Sequence, residues 1–294
     1  MADVEITLKA FAKLNLYLEV LGRREDGYHD IRSLMVTVDL ADTLRVRDAR
    51  SGISVVVDAA GVPSGQDNLC WEAADALRRR AGIRKGAEVR LVKTIPVAAG
   101  MGGGSSDAAC VLAGLNALWG AGLTEAELAD VAAGIGSDVP FFIRGGLQLA
   151  EGRGEILTPL EGLPRAWFVI AAPELAVSSA WAYSAVRMGL TTATHATRIT
   201  LLSTVLDAAG VVGILQNDLE GGVEESHPVV RRLKAALLAH GAAGALMSGS
   251  GPAVFGVTQD RTSAIEVASA VRGPGVAAFA VSPTRRGWAE VGRR

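Results

Sequence analysis

One loop constrains this chain more than any other feature, the run Gly100-Met101-Gly102-Gly103-Gly104-Ser105-Ser106-Asp107. A strand-like segment at 88–92 precedes it, and apolar residues at helical spacing follow it from Ala108 to Leu118. Small residues let consecutive backbone N–H groups turn inward, and the start of the next helix adds free N–H groups and the positive end of its dipole. The loop therefore predicts an anion site that suits phosphate, because a tight turn alone does not explain four glycines and two serines.

Two common phosphate-binding motifs do not fit this loop. A Rossmann fingerprint that starts at Gly100 needs its third glycine where Ser105 stands, and a Walker loop needs Gly-Lys-Ser/Thr where Ser105 and Ser106 stand. We expect Gly103 to allow close approach of the phosphates and to supply a positive φ. The two serine hydroxyls offer hard oxygens for positioning a phosphate or its Mg²⁺.

Composition excludes several classes of protein. Hydrophobic residues make up 49% of the 294 residues and charged residues 20%, which is the reverse of a disordered chain and leaves ample sequence for two domains. A net charge of −2 gives no general attraction for nucleic acids or anionic membranes. Cys70 and Cys110 stand without a Cys-x-x-Cys motif, which predicts a reducing compartment and no structural zinc. Neither a signal peptide nor an apolar run of about 20 residues is found, so we expect a cytoplasmic protein.

The first half of the chain has a regular order of elements. Apolar residues occupy the even positions of 4–20, which predicts a strand with Lys13, Asn15 and Tyr17 on its polar face. Further strands are predicted at 35–38, 53–57 and 88–92. Helices are predicted after Asn68, which can cap the first, and after Thr124, where Glu127 has capping-box spacing.

The second half has a different order. The glycine- and proline-rich segment 145–164 is predicted to connect two domains, 1–160 and 161–294. Helical segments are predicted across 179–206. The remaining elements follow the order β-α-β-β-α-β, with strands at 167–170, 245–248, 253–257 and 276–281 and helices at 228–240 and 263–271. This order is typical of ferredoxin-like domains, so the fold class is predicted as α+β.

Four features outside the loop could carry chemistry. Asp138, on a turn, could accept a hydroxyl proton in phosphoryl transfer, although most such aspartates are solvated turn residues. Lys13 with Asn15 could form a polar cluster, or Lys13 could be solvated. Tyr28-His29 could stack on a planar ligand or be ordinary loop residues. The small-residue run 247–252 is explained almost equally well by a tight hairpin and by a binding edge.

Taken together, these segments resemble the GHMP kinase family. Three motifs occur in the family's order, Lys13-Leu14-Asn15, the loop at 96–108 and the glycine motif at 247–252, and the resemblance spans nearly the whole chain. Two other stretches, Gly152-Arg153-Gly154-Glu155 and Asn217-Asp218-Leu219-Glu220, add to it. The resemblance implies a two-domain fold. An N-terminal domain like that of a ribosomal protein and a C-terminal ferredoxin-like domain with extra helices would enclose an active site in the cleft between them.

The resemblance also implies an activity. Within the family the chain is most similar to kinases that transfer phosphate from ATP, with Mg²⁺, to the 2-hydroxyl of a cytidine diphosphate sugar alcohol in the non-mevalonate route to isoprenoid precursors. The implied catalytic pair is Lys13 and Asp138, and the implied cytidine-binding residues are Asn15, Tyr28, His29 and Tyr183. The implied ATP loop consists of Pro96, Val97, Ala98, Ala99, Gly100, Met101, Gly102, Gly103, Gly104, Ser105 and Ser106.

Three alternatives compete with this hypothesis. Another GHMP kinase, acting on homoserine or a mevalonate-type alcohol, would share the loop, but it has no need of the aromatic pair Tyr28-His29. An RNA-binding module is disfavoured by the neutral charge. A dinucleotide-dependent oxidoreductase is disfavoured by the missing third glycine.

Overall fold

The computed structural model describes residues 4–186 and 206–294. Its strands are β1 (Glu5–Arg23), β2 (His29–Ala49), β3 (Ile53–Asp58), β4 (Gly86–Val92), β5 (Leu147–Gly152), β6 (Ile156–Pro159), β7 (Trp167–Pro173), β8 (Gln216–Asn217), β9 (Gly244–Met247), β10 (Val254–Thr258), β11 (Val276–Val281) and β12 (Trp288–Arg293). Its helices are α1 (Leu69–Ala81), α2 (Gly103–Trp119), α3 (Glu125–Ala133), α4 (Val139–Arg144), α5 (Ser179–Ser184), α6 (Ala208–Ile214), α7 (Glu220–Ser226), α8 (Val229–Ala239) and α9 (Arg261–Val271). Within these two ranges, no helix combines the length and apolar character needed to cross a membrane.

The larger sheet is built around the long antiparallel pair β1 and β2. Its main order is β12-β1-β2-β4-β3, and β5 and β6 extend it from β2 while β8 pairs in parallel with β1. One face is covered by α1 and α2, since Ile6, Leu8 and Leu44 pack in one core with Leu77 and Leu115. Burying each such side chain stabilises the fold by about 1.5–3 kcal/mol.

The smaller sheet has the order β11-β7-β10-β9, with all neighbours antiparallel. Helices α8 and α9 contribute Leu237 and Val267 to a core that also contains Val169 and Val254 from the strands. With β8 and the additional helices α5, α6 and α7 set aside, the order is strand, helix, two strands, helix and strand, as the sequence predicts. The ferredoxin-like arrangement and the α+β class are confirmed.

Both predicted helix caps are present. Asn68 lies before α1, and its side chain accepts a hydrogen bond of 2.9 Å from the Cys70 backbone N–H. Thr124 and Glu127 form a reciprocal capping box at the start of α3. Each cap satisfies backbone donors that a helix start leaves without an intrahelical partner.

Some features differ from the predictions made from the sequence. Segment 145–164 is not a plain connection, because β5 and β6 form a hairpin that pairs with β2 from Val36↔Leu147 to Ile31↔Gly152. The chain end returns to the larger sheet, where β12 pairs with β1. The predicted boundary between 160 and 161 falls just after β6 and stays a prediction. Of the helical segments predicted across 179–206, α5 is described and 187–205 lie outside the described residues.

Candidate active site

A cavity of about 1220 Å³ lies between the two halves of the chain. The glycine loop, the turn between β1 and β2, α5 and the turn between β9 and β10 all border it. Six of the predicted site residues line it: Lys13, Asn15, Tyr28, His29, Asp138 and Tyr183. Residues 96–105 of the predicted ATP loop line it as well. The structure therefore brings together groups that are far apart in the sequence.

Glycine is required at particular positions of the loop. Positive φ angles occur at Gly100 (77°) and Gly102 (68°), whereas Gly103 begins α2 without one, so that part of the expectation for Gly103 is wrong. A Cβ on Gly100 would collide with the Ser248 carbonyl oxygen, and a Cβ on Gly103 would lie 3.2 Å from Lys93 Nζ. The loop thus needs glycine for conformation at some positions and for close packing at others.

The start of α2 points toward the cavity. The first backbone N–H groups of a helix have no intrahelical partner, and the residue before α2 is Gly102, whose lack of a side chain leaves them uncapped. Ser105 lines the cavity. The Ser106 hydroxyl instead donates a 2.6 Å hydrogen bond to the Phe11 carbonyl oxygen in the protein interior. Ser106 therefore fastens α2 to β1, and Ser105 supplies the hydroxyl beside the loop.

Lys13 and Asp138 lie close together in the wall of the cavity. The Lys13 ammonium lies 3.9 Å from Asp138 Oδ2 and donates a hydrogen bond to Asn15 Oδ1. Asn15 Nδ2 in turn donates to Ser33 Oγ at 2.7 Å. Burial lowers the pKa of Lys13, and the Asp138 carboxylate opposes that effect. The arrangement fixes a cation beside a carboxylate whose side chain is 40% exposed to the cavity.

Aromatic side chains line another part of the cavity. Tyr28 lies at the end of the β1–β2 turn, directly before β2, with 54% of its surface exposed, and the Arg153 guanidinium lies 4.8 Å from the centre of its ring. The His29 and Tyr183 rings stack with centroids 5.3 Å apart. Burial and the nearby Asp138 raise the pKa of Tyr183 above its ordinary value. These rings offer flat surfaces of the kind that stack on a planar base.

Arg153 was not predicted as a site residue, although it lines the cavity beside Tyr28. The sequence signal that could have identified it is its position between two glycines, Gly152 and Gly154. In the structure these glycines have φ angles of 68° and 110°. The two glycines form the tight turn between β5 and β6, and this turn carries the guanidinium to the cavity.

A buried charged cluster beneath the glycine loop was also not predicted. Lys93, 7% exposed in its side chain, donates hydrogen bonds to Asp42 and, at 2.7 Å, to Asp107, the fifth residue of α2. The backbone N–H of Ile95 donates to Asp42 at 2.9 Å. Burial, opposed by Lys93 and reinforced by Asp42, raises the pKa of Asp107 to about 8. The cluster ties the start of α2 to the end of β4.

Known protein families share this fold and this loop. The sequence model of the "GHMP kinases N terminal domain" matches residues 68–146, and that of "GHMP kinases C terminal" matches residues 195–277. The 4-diphosphocytidyl-2-C-methyl-D-erythritol kinase of Geobacter metallireducens is 47% identical over 254 residues, covering 86% of this chain and 89% of that protein. The enzyme of the same name from Gloeobacter violaceus is 44% identical over 289 residues, covering 96% of this chain and 95% of that protein.

Solved structures of kinases have the same fold as this chain. A crystal structure of 4-(cytidine 5'-diphospho)-2C-methyl-D-erythritol kinase has a TM-score of 0.79 at 36% identity, covering 95% of this chain and 99% of that chain. Homoserine kinase from Cytophaga hutchinsonii has the same TM-score at 19% identity, covering 98% of this chain and 97% of that chain, which shows the shared fold alone. The chain belongs to the GHMP kinase family, whose members use ATP as phosphoryl donor.

Proposed function

We propose that this protein transfers the γ-phosphate of ATP to the 2-hydroxyl of 4-diphosphocytidyl-2-C-methyl-D-erythritol. The observation that carries the proposal is the Lys13–Asp138 pair, which lies in one cavity with the glycine loop and the aromatic side chains of Tyr28, His29 and Tyr183. Relatives at 41–47% identity that bear this substrate's name support it.

The residues can divide the chemistry among them. The Asp138 carboxylate accepts the proton of the 2-hydroxyl as the oxygen attacks the γ-phosphorus. A new P–O bond forms, the bond between the γ-phosphorus and the bridging oxygen breaks, and ADP leaves with that electron pair. The Lys13 ammonium, 3.9 Å from Asp138, offsets negative charge on the reacting oxygens.

ATP binds, in this proposal, along residues 96–105. The backbone N–H groups at the start of α2 bind phosphate oxygens, and the helix dipole favours their charge. Mg²⁺ suits a site of hard oxygens, and the Ser105 hydroxyl is such a ligand beside the loop. Together with phosphate oxygens and water it would hold the ion, which when bound neutralises charge on the phosphates.

The cytidine group is assigned to the aromatic part of the cavity. Tyr28, His29 and Tyr183 supply stacking surfaces, and Arg153 beside Tyr28 adds a cation for the diphosphate or the base. Asn15 is bonded to Lys13 and Ser33, so its main contribution is to orient Lys13, with remaining amide capacity for the substrate.

Two further expectations belong with this proposal. We infer a domain boundary near 160 and 161, and limited proteolysis that gave a stable 1–160 fragment would support it. We also infer a reducing, cytoplasmic location, in which Cys70 and Cys110, both free and buried, stay as thiols.

A coupled assay of ADP release tests the activity. The purified protein is given ATP and Mg²⁺ with 4-diphosphocytidyl-2-C-methyl-D-erythritol, homoserine or mevalonate as acceptor. We expect ADP release with the cytidine substrate and near-background rates with the other two alcohols. Preferential use of homoserine or mevalonate would contradict the proposed substrate while leaving the kinase family intact.

A further inference from the structure

The motif Asn217-Asp218-Leu219-Glu220 lies at the junction of β1 and the turn between β9 and β10. Asn217, 8% exposed, donates through Nδ2 to the carbonyl oxygens of Met247 and Gly249, each at 2.8 Å. Its Oδ1 accepts from the Leu219 backbone N–H at 3.0 Å. Carbonyl oxygens only accept hydrogen bonds, so the amide group has to face them with its nitrogen. One side chain therefore fixes both ends of the strand-to-turn transition.

Glu220 secures the same strand end from another side. Its Oε2 accepts a 2.8 Å hydrogen bond from the Met247 backbone N–H, and its Oε1 pairs with Lys234 on α8. The N–H and the carbonyl of Met247 are thus both bonded to side chains of the motif. This leaves the start of the turn little freedom to move.

The turn held in this way touches the proposed catalytic lysine. A Cβ on Gly249 would lie 2.9 Å from Asn15 Oδ1 and 3.1 Å from Lys13 Nζ, so the Gly249 backbone is packed directly against that pair. The Ser248 hydroxyl, one residue earlier, donates to the Gly100 carbonyl oxygen in the glycine loop at 3.1 Å. Displacement of this turn would open space beside Lys13 and beside the loop.

The motif is also fastened to the strand that carries Lys13. The Asp218 carboxylate accepts from the Val20 backbone N–H at 2.9 Å, and the Asp218 N–H donates to the Leu18 carbonyl oxygen at 3.0 Å. Asn217 itself pairs with Leu18 in the short β8–β1 ladder. The motif therefore fixes the spacing between β1 and the turn that packs on it.

We propose that Asn217 is a positioning residue for phosphoryl transfer. By holding the Gly249 carbonyl it keeps the turn against Lys13 and Asn15, and thereby keeps the Lys13 ammonium beside Asp138. This inference rests on the proposed function, because it assigns Asn217 a part in the reaction attributed to that pair. Since displacement of a reacting group by about 1 Å can cost on the order of 10²-fold in rate, loss of this contact should act on turnover.

Asn217→Ala is compared with Asn116→Ala to test the proposal. Asn116, near the end of α2, makes a similar pair of hydrogen bonds between its side-chain amide and the Leu123 backbone, at 2.9 Å and 3.0 Å. It holds a loop that lies outside the cavity. Both variants are assayed well below their melting temperatures, and rates are given per folded molecule. We expect Asn217→Ala to lower kcat by on the order of 10²-fold with little change in either KM. Asn116→Ala should keep the kcat of the parent.

A third variant, Asn217→Asp, separates the two carbonyl contacts from the shape of the side chain. It keeps the acceptor for the Leu219 N–H but turns an oxygen toward the Met247 and Gly249 carbonyl oxygens, so we expect no recovery of kcat over Asn217→Ala. Recovery would overturn the proposal, as would equal kcat in Asn217→Ala and the parent. A rise in KM with unchanged kcat in Asn217→Ala would also overturn it.

Hydrogen exchange gives a readout that needs no substrate. The backbone amides of residues 248–251 and of Ala253 should exchange faster in Asn217→Ala than in the parent or in Asn116→Ala, and unchanged exchange would contradict the positioning role. If the parent phosphorylates a different alcohol, only the proposed substrate is wrong. The role of Asn217 is then tested by comparing the kcat of Asn217→Ala with that of the parent on that alcohol.

Discussion

The His29 imidazole stacks on the Tyr183 phenol ring, with centroids 5.3 Å apart and ring planes 21° from parallel. His29 begins β2 in the larger sheet, and Tyr183 belongs to α5, which follows the first strand of the smaller sheet. The contact joins the two halves of the chain at the cavity, which both residues line. A base that stacks beside Tyr28 would therefore meet side chains from both halves.

Removal of the aromatic rings should weaken binding of the proposed cytidine substrate and leave binding of ATP unchanged. Tyr28→Ala and Tyr183→Ala each lose a stacking surface that is worth about 1–3 kcal/mol in base-binding proteins, which corresponds to roughly 5- to 150-fold in KM for that substrate. The KM for ATP should change little. Steady-state kinetics with each substrate varied in turn provides the measurement.

Trp181→Ala is the matched control for this pair, because Trp181 shares α5 with Tyr183 but packs its ring edge-on against His227. Its kinetic constants should resemble those of the parent. If instead Tyr28→Ala and Tyr183→Ala raised the KM for ATP alone, the aromatic rings would belong to the donor site.

Asp138→Asn should remove the proposed proton acceptor and keep the shape of the cavity. Turnover should fall by roughly 10²–10⁴-fold, since general base catalysis contributes about that much. Calorimetric titration with a non-hydrolysable ATP analogue should give the affinity of the parent. Asp130→Asn, an exposed carboxylate on α3, serves as the control and should keep full activity. A parent-like rate in Asp138→Asn, with contamination excluded, would rule out the proposed base.

Local features of this fold could be predicted because their causes are local. The caps at Asn68 and Thr124 and the glycine loop before α2 depend on residues within a few positions of each other. Segment 145–164 was misinterpreted because its glycines suggest a linker. Gly145, Gly146 and Gly152 instead form turns around β5, in which Leu147 and Leu149 alternate with Gln148.

Contacts between distant segments could not be predicted from one sequence. Tyr17 lies on the face of β1 that the alternation marks as polar, yet it is 2% exposed, because it packs in the core that joins the two sheets. The pairing of Lys93 with Asp42 and Asp107 depends on three segments that only the folded chain brings together. Composition and periodicity carry no information about such pairings.

Gly100→Ala should impair the proposed ATP loop more than its backbone strain alone explains. The residue has φ 77°, and a Cβ there would collide with the Ser248 carbonyl oxygen. Gly122→Ala is the matched control, since Gly122 has φ 72° and open space around it. Both variants should lose about 1–2 kcal/mol of stability from the left-handed backbone. Affinity for a non-hydrolysable ATP analogue should fall in Gly100→Ala only, and equal affinities in the two variants would contradict a role for loop geometry.

Lys93→Met should destabilise the protein in a pH-dependent way. Without the ammonium, the buried carboxyl groups of Asp42 and Asp107 lose the cation that they share, which should cost about 3–5 kcal/mol at neutral pH. Arg80→Met removes one partner of the exposed pair with Glu127 and should cost no more than about 1 kcal/mol. Chemical denaturation of both variants and the parent measures these differences.

The pH dependence follows from the raised pKa of Asp107, about 8 in the folded parent against an ordinary 3.8. A carboxyl group whose pKa is raised by folding contributes its stability in full below about pH 4 and loses it as the pH rises through about 8. Lys93 lowers this pKa, so its removal raises the pKa of Asp107 further. The loss of stability with rising pH then continues to a higher pH in Lys93→Met than in the parent. The stability gap between Lys93→Met and the parent should therefore be smaller at pH 5 than at pH 8. The gap of Arg80→Met should stay nearly constant, and a Lys93→Met gap that widened on acidification would contradict the buried-carboxylate explanation.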